Sequence, residues 1–372
     1  MKILYTIAGL YRPAGMERIL TDKANYLATH GYQVTIVTTE QKGRETAFPL
    51  AEGIVLKDLA IGYEDNNGTS FLNKLLSYPA KQRRHRKALA AVLAEERPDI
   101  AVSLFDGDER FLHKMKDGSK KVLEIHFSRF KRLQYGRKGL WALADRCRSA
   151  RDGSIVRKYG RFVVLTEEDL GYWKKPVNAC VIPNFLSRIP KDTAASDNKT
   201  VLAVGRCDHQ KGFERLIRAW AILPGPWGWK LRIVGDGPQR GELQKLAKKL
   251  CVEDSIEFPG ICQDMDKEYR EAAFLAVSSR YEGLPMAMLE AQSYGLPIVA
   301  YDCKCGPRDV ISDGEDGILV KEGNIPLMTL ALTRMMEDER MRKEMGGVAL
   351  KRSERWNRER IMEKWTELFA NI

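Results

Sequence analysis

Short apolar runs alternate with amphipathic stretches along the whole chain. "KILYTIA" (2–8), "QVTIVTT" (33–39), "IVLKDLA" (54–60), "IAVSLF" (100–105), "KVLEIHF" (121–127) and "RFVVLT" (161–166) read as strands. After a polar gap come "TVLAVGR" (200–206), "KLRIVGDG" (230–237), "SIEFPG" (255–260), "AFLAVSS" (273–279) and "PIVAYD" (297–302). Between them, "GMERILTDKANYLATHG", "GFERLIRAWAIL" and "RGELQKLAKKLCV" space their apolar residues near 3.6, the mark of helices. The strands are apolar through most of their length, which predicts parallel sheets covered by helices on both faces. The segment "LSRIPKDTAASDNKT" (186–200) has no periodicity and reads as a linker, after which the pattern restarts. The expected architecture is α/β: two doubly wound Rossmann-like domains at 1–188 and 198–350, with a helical tail at 351–372. Ligands of such sheets bind beyond the carboxyl ends of the strands, and two facing sheets would place a site in the cleft between them.

Composition narrows the class. The chain has 372 residues, 44% hydrophobic and 30% charged, an ordinary globular balance. No apolar run approaches the ~20 residues of a membrane-spanning helix. The start "MKILYTIAGLYRPAGMER" lacks the layout of a signal peptide and reads as a first strand. Seven scattered cysteines suit a reducing cytoplasm. Cys303 and Cys305 form a C-x-C without further ligands nearby, so no metal is expected there. The net charge of +11 is uneven: residues 1–190 hold 33 Lys+Arg against 21 Asp+Glu, and residues 191–372 hold 28 against 29. The excess peaks at "KQRRHRK" (81–87) and "RFKRLQYGRK" (129–138). Such a half favours an anionic membrane surface, a nucleic acid or an acidic glycan, while a solvated helix face explains either cluster equally well. Aromatic residues, Phe130 and Tyr135 in the second run, do not interleave with the basic runs as a stacking platform would require, which disfavours nucleic acid. No G-x-G-x-x-G follows the first strand of either half, which disfavours a nicotinamide dehydrogenase.

The candidate chemistry lies mainly in the second half. In "VGRCDHQKGFERL" a strand ends at Gly205, and a loop carrying Arg206 and Lys211 leads into a helix near Gly212. Two cations at a strand's carboxyl end suit an anion such as a diphosphate; a basic surface loop is the plain alternative. "IVGDGP" (233–238) is a strand ending in a tight turn around Asp236. Its glycines would allow positive φ or a ligand's close approach. "IEFPG" (256–260) ends a strand at Phe258, Pro259 and Gly260, a possible wall for a flat base. Turn chemistry accounts for both motifs as well. In "YEGLPMAMLEAQSYGLPIVAYD", Pro285 is expected at the first position of a helix that Gly295 ends. Glu282 then lies in the loop before that helix, and Glu290 about a turn and a half inside it. Loop amides and the helix dipole attract an anion there. A carboxylate beside a bound anion needs hydroxyl donors, so a polyol joined to a phosphate, such as a nucleotide sugar, is the ligand that fits. In the first half, Gly15 of "PAGMER" would let a ligand approach the backbone. His126 of "LEIHFSRF" ends a strand, where a structural role is the commoner one.

Taken together, "VGR…KG", "IVGDGP", "IEFPG", "S-x-x-E-G-L-P-x-x-x-x-E-A", "G-x-P-I-V-A" and "GPRDVISDGEDGILV", in that order, resemble the retaining glycosyltransferases of family 4, or group 1, with the GT-B fold. The resemblance implies roles. Glu282 and Glu290 match the family's E-x7-E pair, the first on the transferred sugar and the second on the ribose hydroxyls. Arg206 and Lys211 would hold the diphosphate and stabilise it as it leaves. Amides around Gly283 and Leu284, just before Pro285, with Gly15, would sit against sugar and phosphates, and backbone from Phe258 to Ile261 would hold the base. His126 would lie near the sugar's reacting end. The resemblance further implies a hexose donor with UDP as the commonest carrier, and no metal or other cofactor. It implies an N-terminal domain that takes a glycan or lipid-linked acceptor, and a last helix that crosses back onto that domain. A cytoplasmic enzyme, peripheral on the inner membrane face, would fit the charge. Two departures stand out: Ala14-Gly15 replaces the usual glycine pair, and Asp309 replaces a usual Glu and receives no role. Another GT-B activity, such as a sugar-nucleotide epimerase, is the rival reading; the residues alone leave donor, acceptor and oligomeric state open.

Overall fold

The computed structural model describes residues 1–66, 71–134, 139–190, 192–195, 197–225 and 228–372. Residues 135–138 of the second basic run, and 191 and 196 of the linker, lie outside the described residues. All named strands pair in parallel. The first sheet contains β1 (Lys2–Ile7), β2 (Gln33–Thr38), β3 (Val55–Asp58), β4 (Ile100–Ser103), β5 (Lys120–Glu124), β6 (Arg161–Val164) and β7 (Ala179–Val181), in the order β3-β2-β1-β4-β5-β6-β7. The second contains β8 (Thr200–Val204), β9 (Lys230–Val234), β10 (Ile256–Gly260), β11 (Phe274–Val277), β12 (Ile298–Asp302) and β13 (Gly317–Lys321), in the order β10-β9-β8-β11-β12-β13. The strand order reverses between β1 and β4 in one sheet and between β8 and β11 in the other. The loops after those four strands therefore flank a crevice at each sheet's carboxyl edge.

The chain divides into two compact units. One comprises Met1–Leu133, Arg137–Pro183 and Ile361–Ile372; the other contains Asn184–Arg360. In the first, Leu4, Val37, Ala101, Leu123 and Phe162 from the sheet pack with Leu89, Val92 and Leu93 of the helix Phe71–Glu96. In the second, Val201, Leu231, Phe274 and Val299 pack with Phe213, Leu216 and Trp220 on one helix and Met328, Leu332 and Met335 on another. Each Val, Leu, Phe or Met side chain among these, fully buried, stabilises the fold by about 1.5–3 kcal/mol relative to exposure.

The tail is two segments rather than one helix. Helix Glu339–Ser353 ends in a short turn through Trp356, and a separate helix runs Arg358–Ala370. Asn357 makes the break: its backbone is extended, and its side chain accepts from the Arg360 amide at 3.1 Å. Trp356 and Trp365 are both core residues. Trp365 covers Lys23, whose ammonium lies 3.9 Å from the indole centroid. Lys23 is itself buried and donates to Glu124 Oε1 at 2.7 Å, at the end of β5. Burial alone would raise the Glu124 carboxyl; Lys23 and His126 outweigh it and hold the group ionised, well below the ordinary range.

A second set of buried carboxyls lies in the turn after β4. Asp108 accepts from Thr6 Oγ1 at 2.6 Å and Ser103 Oγ at 2.7 Å, tying β1 to β4. Burial pushes its carboxyl up to about 6 despite these bonds. Glu109 accepts from the Gly107 amide at 2.8 Å; burial, and then the neighbouring Asp108 charge, pushes it up to about 7 against the pull of Arg110. A carboxyl raised in the folded state stabilises it below its unfolded pKa, and that contribution is lost as pH rises through the folded value. Glu109→Gln removes one such group. Its melting temperature, compared with the parent's in urea-free buffers, is expected to shift in the variant's favour as pH rises from about 5 to about 8. A pH-independent difference would contradict the assignment.

Candidate active site

The loops after β8 and β11 meet at the switch point of the second sheet. The first runs from Gly205 to Gly212, and the second from Ser278 to Pro285. Gly212 caps the helix Phe213–Ala221 with φ at 62°, and a Cβ there would lie 2.6 Å from the Ser278 carbonyl oxygen. Only glycine fits both the left-handed backbone and that contact. Three further bonds join the loops. Ser278 Oγ donates to the Lys211 carbonyl at 2.9 Å, the Arg280 amide to the Gln210 carbonyl at 2.8 Å, and Arg280 Nη1 to the His209 carbonyl at 2.6 Å.

Glu282 sits at their centre, 5% exposed. Its Oε1 accepts from Ser279 Oγ at 2.6 Å and from Lys211 Nζ at 2.7 Å, and its Oε2 lies 3.4 Å from Gln210 Nε2. The Lys211 stem passes over Gly205, where a Cβ would meet its Cε at 2.7 Å. Asp208 shapes the cationic loop. Its Oδ1 accepts from the Gln210 amide at 3.0 Å, and its Oδ2 pairs with Arg206 Nε at 2.9 Å. Arg206 is 71% exposed, so its guanidinium stands in solvent on the same loop as Lys211. A buried carboxylate and a mostly covered ammonium are therefore brought together, with an exposed guanidinium elsewhere on the same loop.

The helix that follows begins one residue later than the sequence reading placed it. It runs Met286–Ser293, and Pro285 is its cap, with ψ at 106° and a carbonyl that accepts from the Met288 amide. Leu284 is buried, and the Gly283 carbonyl lies 3.1 Å from the position a Cβ on Gly306 would take. Glu290 is half-buried on this helix, and its Oε2 accepts from the buried Tyr269 hydroxyl at 2.7 Å. The helix ends at Tyr294, with Gly295 at φ 71°.

The turn after β9 has the positive φ at Gly235 and Gly237 that its sequence allowed. Cβ atoms on Gly235 and Gly237 would lie 2.0 and 2.6 Å from the carbonyl oxygens of Gly205 and Cys207, so the glycines serve the neighbouring backbone. Asp236, its side chain half exposed, accepts from the Gly237 amide at 2.7 Å. The Phe258 carbonyl accepts from Arg240 Nη2 at 2.8 Å, and that of Gly260 from the Gly235 amide at 2.8 Å. These two carbonyls are thus engaged within the unit. Phe258 leans on the core, and Ile261 is 71% exposed.

Gly15 and His126 belong to the other unit. Gly15 is exposed as the first residue of the helix Gly15–Thr29. His126 follows β5 with its side chain 5% exposed, and its Nε2 lies 2.9 Å from Glu124 Oε1, a contact off the line of a good hydrogen bond. Among the described residues, no group of three or more His, Cys, Asp or Glu could hold a metal ion. No described helix is long and apolar enough to cross a membrane.

Residues 187–352, the bulk of the second unit, match the family described as Glycosyl transferases group 1. That segment is a glycosyl transferases group 1 domain. Along nearly its full length this glycosyltransferase is 28% identical to the amylovoran biosynthesis glycosyltransferase AmsD of Erwinia amylovora, with 99% of each chain covered. It is 27% identical to an alpha-1,4-N-acetyl-D-galactosaminyltransferase of Campylobacter jejuni named for a diphospho-undecaprenol-linked saccharide, with 100% of this chain and 99% of that one covered. Among solved structures, sucrose-phosphate synthase from Thermosynechococcus elongatus superposes with a TM-score of 0.84 at 18% identity, over 100% of this chain and 98% of that one. The glycosyltransferase thus has the GT-B fold of two Rossmann-like units.

Sequence reading had missed Gln210, Ser279 and Tyr269. Ser279 stands three residues before Glu282, which was a local signal. Gln210 and Tyr269 reach carboxylates 72 and 21 residues away, and no local pattern announces them.

Proposed function

We propose that this glycosyltransferase moves a hexose, with retention of configuration, from a uridine diphosphate sugar to a glycan or lipid-linked saccharide. The observation that carries the reading is the Lys211–Glu282 ion pair at the switch point of the family-matched unit, with Arg206 exposed on the same loop as Lys211. Lys211 and Arg206 draw the diphosphate and stabilise the charge that grows on it as it departs. Glu282 receives hydroxyls of the transferred sugar. Its carboxylate is already fixed by Ser279 and Lys211, which suits a positioned acceptor of hydrogen bonds rather than a nucleophile. In the proposed step the bond from the anomeric carbon to the diphosphate oxygen breaks. The acceptor oxygen bonds that carbon on the same face, and its proton passes to the departing diphosphate oxygen. Gly15 and His126, on the N-terminal unit, serve the phosphates and the sugar's reacting end in this reading, which invokes no metal.

The C. jejuni relative, by its name, acts on a diphospho-undecaprenol-linked saccharide, which supports a lipid-linked acceptor. Arg83, Arg84, Arg86 and Lys87 are exposed on the helix Phe71–Glu96, although Arg84 also donates to the Ala60 carbonyl at 3.0 Å. We place an anionic lipid surface against this helix. Co-sedimentation with vesicles containing anionic phospholipid should exceed that with neutral vesicles and fall with added salt; equal partitioning removes the membrane contact.

For the reaction itself, Glu282→Ala, Arg206→Ala and Lys211→Ala should each lower turnover roughly tenfold or more, with far-ultraviolet circular dichroism unchanged. Near-parental turnover in all three would refute the site.

A further inference from the structure

Two short helices face each other beside Glu290, and their side chains are paired crosswise. On the helix Met265–Arg270, Asp266 and Tyr269 are three residues apart; on the helix Met286–Ser293 and its cap, Glu290 and Tyr294 are four apart. Both spacings place a pair on one helix face. The Tyr269 and Tyr294 rings stack with centroids 5.2 Å apart and planes inclined by 20°. Each hydroxyl then reaches the carboxylate on the opposite helix: Tyr269 donates to Glu290 Oε2 at 2.7 Å, and Tyr294 to Asp266 Oδ1 at 2.6 Å. Arg188 completes the set at 2.8 Å from Asp266 Oδ2.

This arrangement does something for Glu290 that packing alone does not. A glutamate side chain has three rotatable bonds and samples several rotamers unless held. Tyr269 is fully buried and stacked, so its hydroxyl has little freedom, and the bond to Oε2 fixes the plane of the carboxylate. A phenol keeps its proton at neutral pH and remains a donor. Burial, and then the bond to Asp266, holds the Tyr294 phenol protonated to well above the ordinary range. A carboxylate already held in one orientation binds a pair of neighbouring hydroxyls at less entropic cost than one that must be ordered as they arrive.

We propose that Tyr269 is the positioning residue that orients Glu290 toward the ribose of the donor, and so sets the preference for a ribose diol over a deoxyribose. The inference rests on the reading of Glu290 as the ribose-binding carboxylate. Tyr294 acts one step further out, by stacking on Tyr269.

Calorimetric binding of UDP and of 2′,3′-dideoxy-UDP to the full chain tests this, repeated with the guanosine pair if UDP does not bind. The parental protein should favour the ribonucleotide by roughly tenfold or more, the effect of leaving a buried hydrogen-bonding group without its partner. Glu290→Gln should reduce that ratio. Tyr269→Phe keeps the ring and removes only the hydroxyl; it should reduce the ratio by about threefold or more, chiefly by weakening the ribonucleotide. A purely structural Tyr269 would weaken both nucleotides equally. An unchanged ratio in Tyr269→Phe with a reduced one in Glu290→Gln overturns the role of Tyr269 and leaves Glu290 standing. An unchanged ratio in Glu290→Gln overturns the reading of Glu290, and Tyr269 with it. Binding of neither nucleotide by the parental protein overturns the donor assignment.

Discussion

The ion pair between Lys211 and Glu282 holds together the two loops that part company at the switch point of the second sheet. β8 sends its loop toward one half of the sheet and β11 toward the other, so nothing in the strand pairing forces their ends to converge. The side chains do that. Gly212 lets the loop backbones touch, Ser278 and Arg280 tie them, and the Lys211–Glu282 pair closes the gap. A carboxylate this buried needs a cation and hydrogen-bond donors to offset its lost hydration. Lys211, Ser279 and Gln210 supply them, and the same groups leave charge and polarity facing the crevice where a ligand of such a sheet binds.

The N-terminal unit solves a similar problem with a different set. Glu124, at the carboxyl end of β5, is buried between Lys23 and His126, and Lys23 is covered by Trp365 from the last helix. Removing one partner of such a buried pair costs on the order of 3–5 kcal/mol, because the other charge is left uncompensated. The last helix is therefore tied to the N-terminal unit by more than apolar contact, and residues Ile361–Ile372 belong to that unit although the chain reaches them from the other. His126, its side chain only 5% exposed, is the third member of this set.

The repeating apolar runs were enough to read both parallel sheets, because strands buried on both faces carry continuous hydrophobic stretches. β7 is not among those runs, since none of its three residues is fully buried. The two carboxylates were legible because Pro285 and Gly295 bracket a helix between them in the sequence. Pro285 proved to cap that helix rather than to open it, a shift of one residue set by its extended ψ. What local sequence could not show was anything decided by contact at a distance. The Gly-Asp-Gly turn read equally as positive φ or as a ligand's approach; both glycines have positive φ, and the carbonyls of Gly205 and Cys207, which no local pattern announces, fill the space beside them. The tyrosine that holds Glu290 comes from another helix, and the glutamine beside Glu282 from another loop.

The central claim is that the crevice at the β8–β11 switch point takes a nucleotide diphosphate sugar. A crystal structure of the protein soaked with UDP tests it most directly. The diphosphate is expected within about 3.5 Å of Lys211 Nζ and of the Arg206 guanidinium, with the ribose hydroxyls on the Glu290 carboxylate. A nucleotide bound elsewhere, or bound here with its diphosphate turned away from Lys211 and Arg206, would contradict it.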